Sequence, residues 1–270
     1  MIVQTALEGQ PHRIIFQTEH ARMSGQIAVA FGNDDFAPPT PLEPLLFVAA
    51  HHDEGWQPID ERVEMDPETG LPYHLTRTPL PYLVQTSAGS PEFNEAHHPY
   101  SGILSSMHTV GLFNGRYGLS DKIFIDLVPA EHKSAMQGML NEELARQARL
   151  ELQLANQPET IRFVTTEALF HNYKLLQFFD TLALYFHMNH EQARGEAQFL
   201  NVPRSSEDDV TMTIAPVEVG TYRCSPYPFR EDAITLIYTA QRLLPQPPGT
   251  DLRALLATIS PETEKVTLIR

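Results

Sequence analysis

Leu175-Leu176-Gln177-Phe178-Phe179-Asp180-Thr181-Leu182-Ala183-Leu184-Tyr185-Phe186 is apolar almost all the way round a helix, and such a helix belongs at the centre of a fold. Its one acidic residue is the difficulty. An ionised carboxylate among apolar neighbours is costly unless a cation accompanies it, and no lysine or arginine lies nearer to Asp180 in sequence than Lys174. Pairing with Lys174 or Arg162 across the interior is one solution; a bound metal is the other. The helix itself is expected to run from about residue 159 to 190.

Working outward, the preceding segments read as further helices. Thr18 offers a cap for a helix through Ser24 and Ala28 toward Gly32, with His20 in its first turn. Pro41 suits a first helical position, and Leu42, Leu45, Leu46, Val48 and Ala49 continue an apolar helix into His51-His52-Asp53, with Gly55 as its stop. Pro91 to Leu112, with Ile103, Leu104, Met107 and Leu112 on one face, predicts a helix carrying His97, His98 and His108. Pro129 opens a charge-mixed helix through Leu154. Pro58 to Ser90, rich in proline, glycine and turn formers, is expected to be a long ordered loop in which Asp66 to Gly70 forms a turn.

Beyond residue 200 the hydrophobic period changes. Val210–Ile214, Thr221–Cys224, Ala233–Tyr238 and Lys265–Ile269 alternate as strands do. The expected architecture is therefore mainly α: a helical bundle over residues 1–200, with a small antiparallel β region over 201–270 packed on it.

Composition narrows the function. With 42% hydrophobic and 20% charged residues, the 270-residue chain is a folded globular protein. Its 19 Lys and Arg against 34 Asp and Glu leave a net charge of −15, which repels nucleic acid and anionic membrane surfaces. No apolar run approaches the roughly 18 to 20 residues that span a bilayer. Cys224 is the single cysteine, so an internal disulfide and a thiolate metal site are both excluded. A cytoplasmic setting and a small-molecule substrate are expected; the oligomeric state is not encoded in these features.

The 12 histidines are where chemistry is to be sought. His20, the His52-Asp53 pair, His108 and Asp180 fall on four helices that can converge nitrogen and carboxylate ligands on one interior point. Mixed imidazole and carboxylate donors suit one or two Fe, Mn or Zn ions. His51 points about 100° away from His52 on a helix, so it can support the ligands but not easily join them. His187 and His190 read as a solvated helix end.

The order His20, His52-Asp53, Asp180, with the string Ala49-Ala50-His51-His52-Asp53-Glu54-Gly55, resembles the HD superfamily of metal-dependent phosphohydrolases. More closely, the chain resembles the bacterial family called domain of unknown function 3891. That likeness rests on Gln17-Thr18-Glu19-His20-Ala21, His51 to Trp56, Ser105-Ser106-Met107-His108, Asp180 to Leu184 and Ser225-Pro226-Tyr227-Pro228-Phe229. The HD resemblance implies an HD-like helical domain and a metal held by His20, His52, Asp53, His108 and Asp180, with Asp53 and His52 at the catalytic position. It also makes His98 an outside option for an additional metal. Trp56 stands where many HD hydrolases carry lysine, as a structural plug or a pocket wall, and Arg62 and Arg77 are the only lysine or arginine residues between Glu54 and Tyr100. The first expectation is a metal-dependent hydrolase of a small phosphorylated substrate. The alternatives are an HD-type di-iron oxygenase or a non-catalytic metal- or ligand-binding protein.

Overall fold

The computed structural model describes residues 1–270. Two short strands, β1 (Ile2–Val3) and β2 (His12–Ile15), precede the helices α1 (Gln17–Ala30), α2 (Leu42–His51) and α3 (Gln57–Asp60). A two-stranded hairpin, β3 (Met65–Asp66) with β4 (Leu71–Pro72), leads to α4 (Leu80–His97), α5 (Pro99–Phe113), α6 (Phe124–Leu127), α7 (Ala130–Ala155) and α8 (Thr166–Met188). The chain ends with β5 (Ala197–Pro203), β6 (Asp209–Glu218), β7 (Thr221–Ser225), β8 (Ala233–Leu243), α9 (Leu252–Thr258) and β9 (Glu262–Ile269).

The sheet overturns the expected mainly helical bundle. Seven strands pair in the order β1-β2-β8-β9-β7-β6-β5, and β7 runs parallel to β9, so the sheet is large and mixed and the fold is α/β. Nor is it confined to the chain beyond residue 200. His12, Arg13 and Ile14 pair with Leu243, Arg242 and Gln241, which ties the first strands to the far end of the chain. Two and four residues are too few to carry a period of their own, and β2, the partner of β1, is itself joined to the sheet by β8, which is invisible in local sequence.

Two helical expectations also change. Residues 80–90 are helix rather than loop, and the helix expected from Pro91 is split. Proline disfavours α conformation in the residue before it, and His98, just ahead of Pro99, is extended at φ −155° and ψ 136°. α4 therefore ends at His97 and α5 starts afresh, with the His98 ring accepting the Tyr100 N–H at 3.0 Å as its cap.

The main apolar core, of 38 buried residues, joins helices and sheet, running from Ile2 and Met23 through Leu176 and Phe179 to Met212 and Leu268. α1 is fastened to β8 by paired amide bonds. Gln26 Nε2 donates to the Ile237 carbonyl at 2.7 Å and Ile237 N–H donates to Gln26 Oε1 at 2.9 Å. The sheet thus fixes the position of the helix that carries His20.

The β3–β4 region is held to β1 by Val3 N–H donating to His74 Nδ1 at 3.0 Å. That bond needs a neutral ring, and burial pushes the His74 imidazole from 6.5 down to about 4. Between those two values the unfolded chain binds the proton and the folded one does not, so stability rises with pH across this window. It is fully present above about 6.5 and is lost as pH falls toward 4. The expected amplitude is about 3 kcal/mol. Urea unfolding of the wild type and His74→Asn at pH 7 and pH 4.5 checks it: the variant should lose less stability on acidification.

Candidate metal centre

Each candidate ligand is placed by a helix whose own sequence accounts for it. Position 20 lies in the first turn of α1, position 108 in the second half of α5 and position 180 near the middle of α8, while His52 and Asp53 directly follow α2. α1 and α2 meet closely because Gly25 has no side chain: a Cβ there would lie 2.6 Å from Ala50 Cβ. This contact brings His20 toward His52, and their ring centroids are 5.4 Å apart. The His52 and His108 rings are 5.0 Å apart. Ligand atoms of His20, His52 and Asp180 form one group within 4.8 Å of one another, and those of His52, Asp53 and His108 form a second. His52 is common to both, so the structure brings all five residues together.

The hydrogen bonds set the proton positions. His52 Nδ1–H donates to the Ala49 carbonyl at 3.1 Å, which leaves Nε2 as a bare lone pair. That nitrogen is buried and has no hydrogen-bond partner. It faces Asp53 Oδ2 at 3.5 Å and Asp180 Oδ1 at 3.8 Å, so lone pair confronts carboxylate with no proton between. A cation at that point converts mutual repulsion into coordination. His20 Nε2 lies 3.0 Å from Asp180 Oδ1, and Gln177 Nε2 lies 2.7 Å from His108 Nδ1 while its Oε1 has no partner. With that amide turned over, Oε1 accepts from Nδ1–H and His108 offers its Nε2 lone pair instead.

The electrostatics favour the same occupant. Burial raises the pKa of Asp180, but the hydrogen bond from His20 and the neighbouring imidazoles outweigh it and hold the carboxyl well below the usual carboxylate range. Burial raises the pKa of Asp53, with His52 partly offsetting it. The His108 imidazole is pushed down to about 3 by burial. No lysine or arginine forms an ion pair with either carboxylate: Lys174 binds Asp209 at 2.7 Å, and Arg162 lies over the Phe163 ring. Buried carboxylates beside imidazoles make a donor set that could hold a metal ion, and hard oxygen with borderline nitrogen suits a divalent transition metal.

Compared with known proteins, the chain matches the family described as protein of unknown function (DUF3891) over residues 1–246. It belongs to that family. The matched span contains every candidate ligand. No curated protein matches the chain. No solved structure matches it either.

Not every expected residue of this DUF3891 member stands at the centre. His51 stacks on Phe47 with centroids 4.4 Å apart and bonds Glu54 at 3.0 Å, on the side away from the ligands. His98 caps α5. Trp56 borders a cavity beside His52 and Asp53.

His187 is the correction. It is not at a solvated end but fully buried, with its Nδ1 3.1 Å from His20 Nδ1. The signal was present, since seven residues from Asp180 is two turns along one helix face. Burial holds the His187 imidazole well below its usual value, so the ring is neutral and can donate to His20 Nδ1 while His20 Nε2–H donates to Asp180, or accept from His20 Nδ1–H if a cation takes the place of that proton. Partners of this kind orient metal-binding histidines. His187→Phe is accordingly expected to weaken divalent-metal affinity by roughly 10- to 100-fold, measured by calorimetric titration with Mn²⁺ or Zn²⁺.

The cavity has a volume of about 470 Å³ and is bordered by His52, Asp53 and His108, whereas His20 and Asp180 lie behind them. The Asp53 side chain is 14% exposed and the His52 side chain is fully buried, so Asp53 is the carboxylate that meets an incoming molecule. No helix of the chain is long and apolar enough to cross a membrane.

Proposed function

We propose that this protein is a metal-dependent hydrolase acting on a small phosphorylated substrate, with the metal held by His20, His52, Asp53, His108 and Asp180. The observation that carries the reading is His52 Nε2, a buried bare nitrogen facing two carboxylates across 3.5 and 3.8 Å. The order of these residues along the chain, which resembles that of HD phosphohydrolases, supports the reaction class. A divalent cation in this donor set would supply Lewis acidity toward a phosphoryl oxygen and would acidify water.

The chain's own groups do the rest. His20 and Asp180 form the back of the site, held by His187 and by the packing of α8. His52, Asp53 and His108 present the face on which substrate arrives. Asp53, the partly exposed carboxylate, would hold the metal on the face where water and substrate meet it.

The test is metal content together with turnover. Protein purified without added metal should contain Fe, Mn or Zn, and EDTA should abolish hydrolysis of a simple phosphoester, with restoration by the same ion. Protein containing iron that consumes oxygen and leaves phosphoesters untouched would replace hydrolysis with the oxygenase reading. Stoichiometric metal with neither activity would make the centre structural or ligand-sensing.

A further inference from the structure

The cavity in front of the candidate centre has one polar end and an apolar body. Its walls include Leu75, Leu80, Leu83, Leu112, Phe113 and Val128. The one cationic side chain on it, Arg77, is already engaged by the carboxylates of Asp66 and Glu68. The wall hydroxyls of Thr78, Thr86 and Thr109 donate to the carbonyls of His74, Leu83 and Ser87 at 3.1, 3.1 and 3.2 Å, so their protons are not available to a ligand. At the mouth, α6 contributes Phe124 and Leu127, which border the cavity while being 49% and 75% exposed. The apolar lining therefore continues out to the entrance.

Away from the polar end only Thr76, Ser87 and the Trp56 indole keep a free donor, so most hydroxyls and ring nitrogens of a sugar or nucleobase would stay unpaired on the leucine- and phenylalanine-lined wall, at a cost of about 1 to 3 kcal/mol for each. An alkyl or aryl group would lose nothing. At about 470 Å³ the space lies within the size range of small-molecule sites.

We infer that the substrate is a phosphoester of an apolar alcohol, with its alkyl or aryl body in this cavity and its phosphoryl group at His52, Asp53 and His108. The phosphoryl assignment rests on the hydrolase reading above; the apolar body rests on the cavity alone. The ester's own charge would then be met by the metal rather than by protein cations, in keeping with the absence of a free lysine or arginine on the wall. Hydrolysis balances as attack of water oxygen on phosphorus, cleavage of the phosphorus–oxygen bond to the alcohol, and protonation of the departing alkoxide.

Trp56 is the single tryptophan and borders the cavity, so its fluorescence reports occupancy directly. Titration of the whole protein with the n-alkanols from butanol to octanol should shift Trp56 emission, and affinity should rise about two- to fourfold for each added methylene. Leu112→Asn, checked for unchanged circular dichroism, should weaken octanol binding about tenfold. In the Mn²⁺-loaded protein, octyl phosphate should be cleaved with a kcat/KM more than tenfold above that of glycerol 1-phosphate.

Affinity independent of chain length, octanol binding untouched by Leu112→Asn, or preferential cleavage of glycerol 1-phosphate would each overturn the inference. Chain-length-dependent binding with no cleavage of any phosphoester would sink the hydrolase reading and leave the apolar assignment of the cavity standing.

Discussion

His52→Ala and Asp53→Ala should each lower divalent-metal affinity by about a hundredfold or more and remove metal-dependent turnover, while the fold persists. The floor comes from residues that merely orient ligands, whose loss already costs up to about a hundredfold. His52 contributes a donor to both ligand groups, so its removal leaves neither complete. Asp53 is one of only two carboxylates, and without it the centre loses half of its negative charge. Neither residue belongs to the 38-residue apolar core, which is why the fold should survive.

The metal-free state gives a sharper test of the same idea. Burial raises the Asp53 pKa more than the His52 and His20 imidazoles lower it, and Asp180 adds to the rise, so the metal-free carboxylate is held at a net cost. Removing Asp53 relieves that cost. Metal-free Asp53→Ala should therefore be at least as stable to urea as metal-free wild type, while added Mn²⁺ stabilises the wild type alone. Wild-type metal stoichiometry and affinity in Asp53→Ala would show that this carboxylate is not a ligand.

Gly55→Ala should cost about 3 kcal/mol, at the upper end for an overpacked interior position. Gly55 sits in the turn that follows His52-Asp53 and presses against α4. A Cβ there would lie 2.4 Å from the Thr86 carbonyl oxygen and 2.5 Å from Ser90 N, both backbone atoms that cannot rotate aside. The same turn is tied down by Gly55 N–H donating to Ser90 Oγ at 2.9 Å. Because Asp53 is two residues away, the variant should lose metal affinity along with stability. An unchanged urea midpoint would mean that α4 can retreat freely, and that the turn does not hold the carboxylate in place.

The glycine illustrates how sequence and structure divide the explanation. Placed after an apolar run, it reads correctly as a helix stop, yet its necessity comes from α4, whose residues 80–90 fall in the proline- and glycine-rich stretch expected to be a loop. Proline at the first turn of α4 is compatible with a helix, and the rest of α4 is stabilised by packing against α5 and the turn at Gly55. Local composition could not weigh those contacts. His187 is likewise within reach of periodicity, but with no acidic partner nearer than Glu191 it reads as a solvated end; burial of that end comes from Tyr238 of β8, whose ring centroid is 4.5 Å away.

The sequence alone determined the residue types of the candidate centre and the helices that carry or adjoin them. Imidazoles, carboxylates and an Asp180 without a nearby cation are properties of residues in order, and helical periodicity spans only a few turns, so both can be read from neighbours along the chain. Tertiary structure decided the seven-stranded sheet, the place of His187 and the cavity beside the candidate centre. Each depends on groups far apart in sequence: β2 becomes a strand only when β8 reaches it, and the cavity exists only where α4, α5 and α6 leave space before Asp53. Pairing and enclosure arise between distant segments, and no local pattern records them.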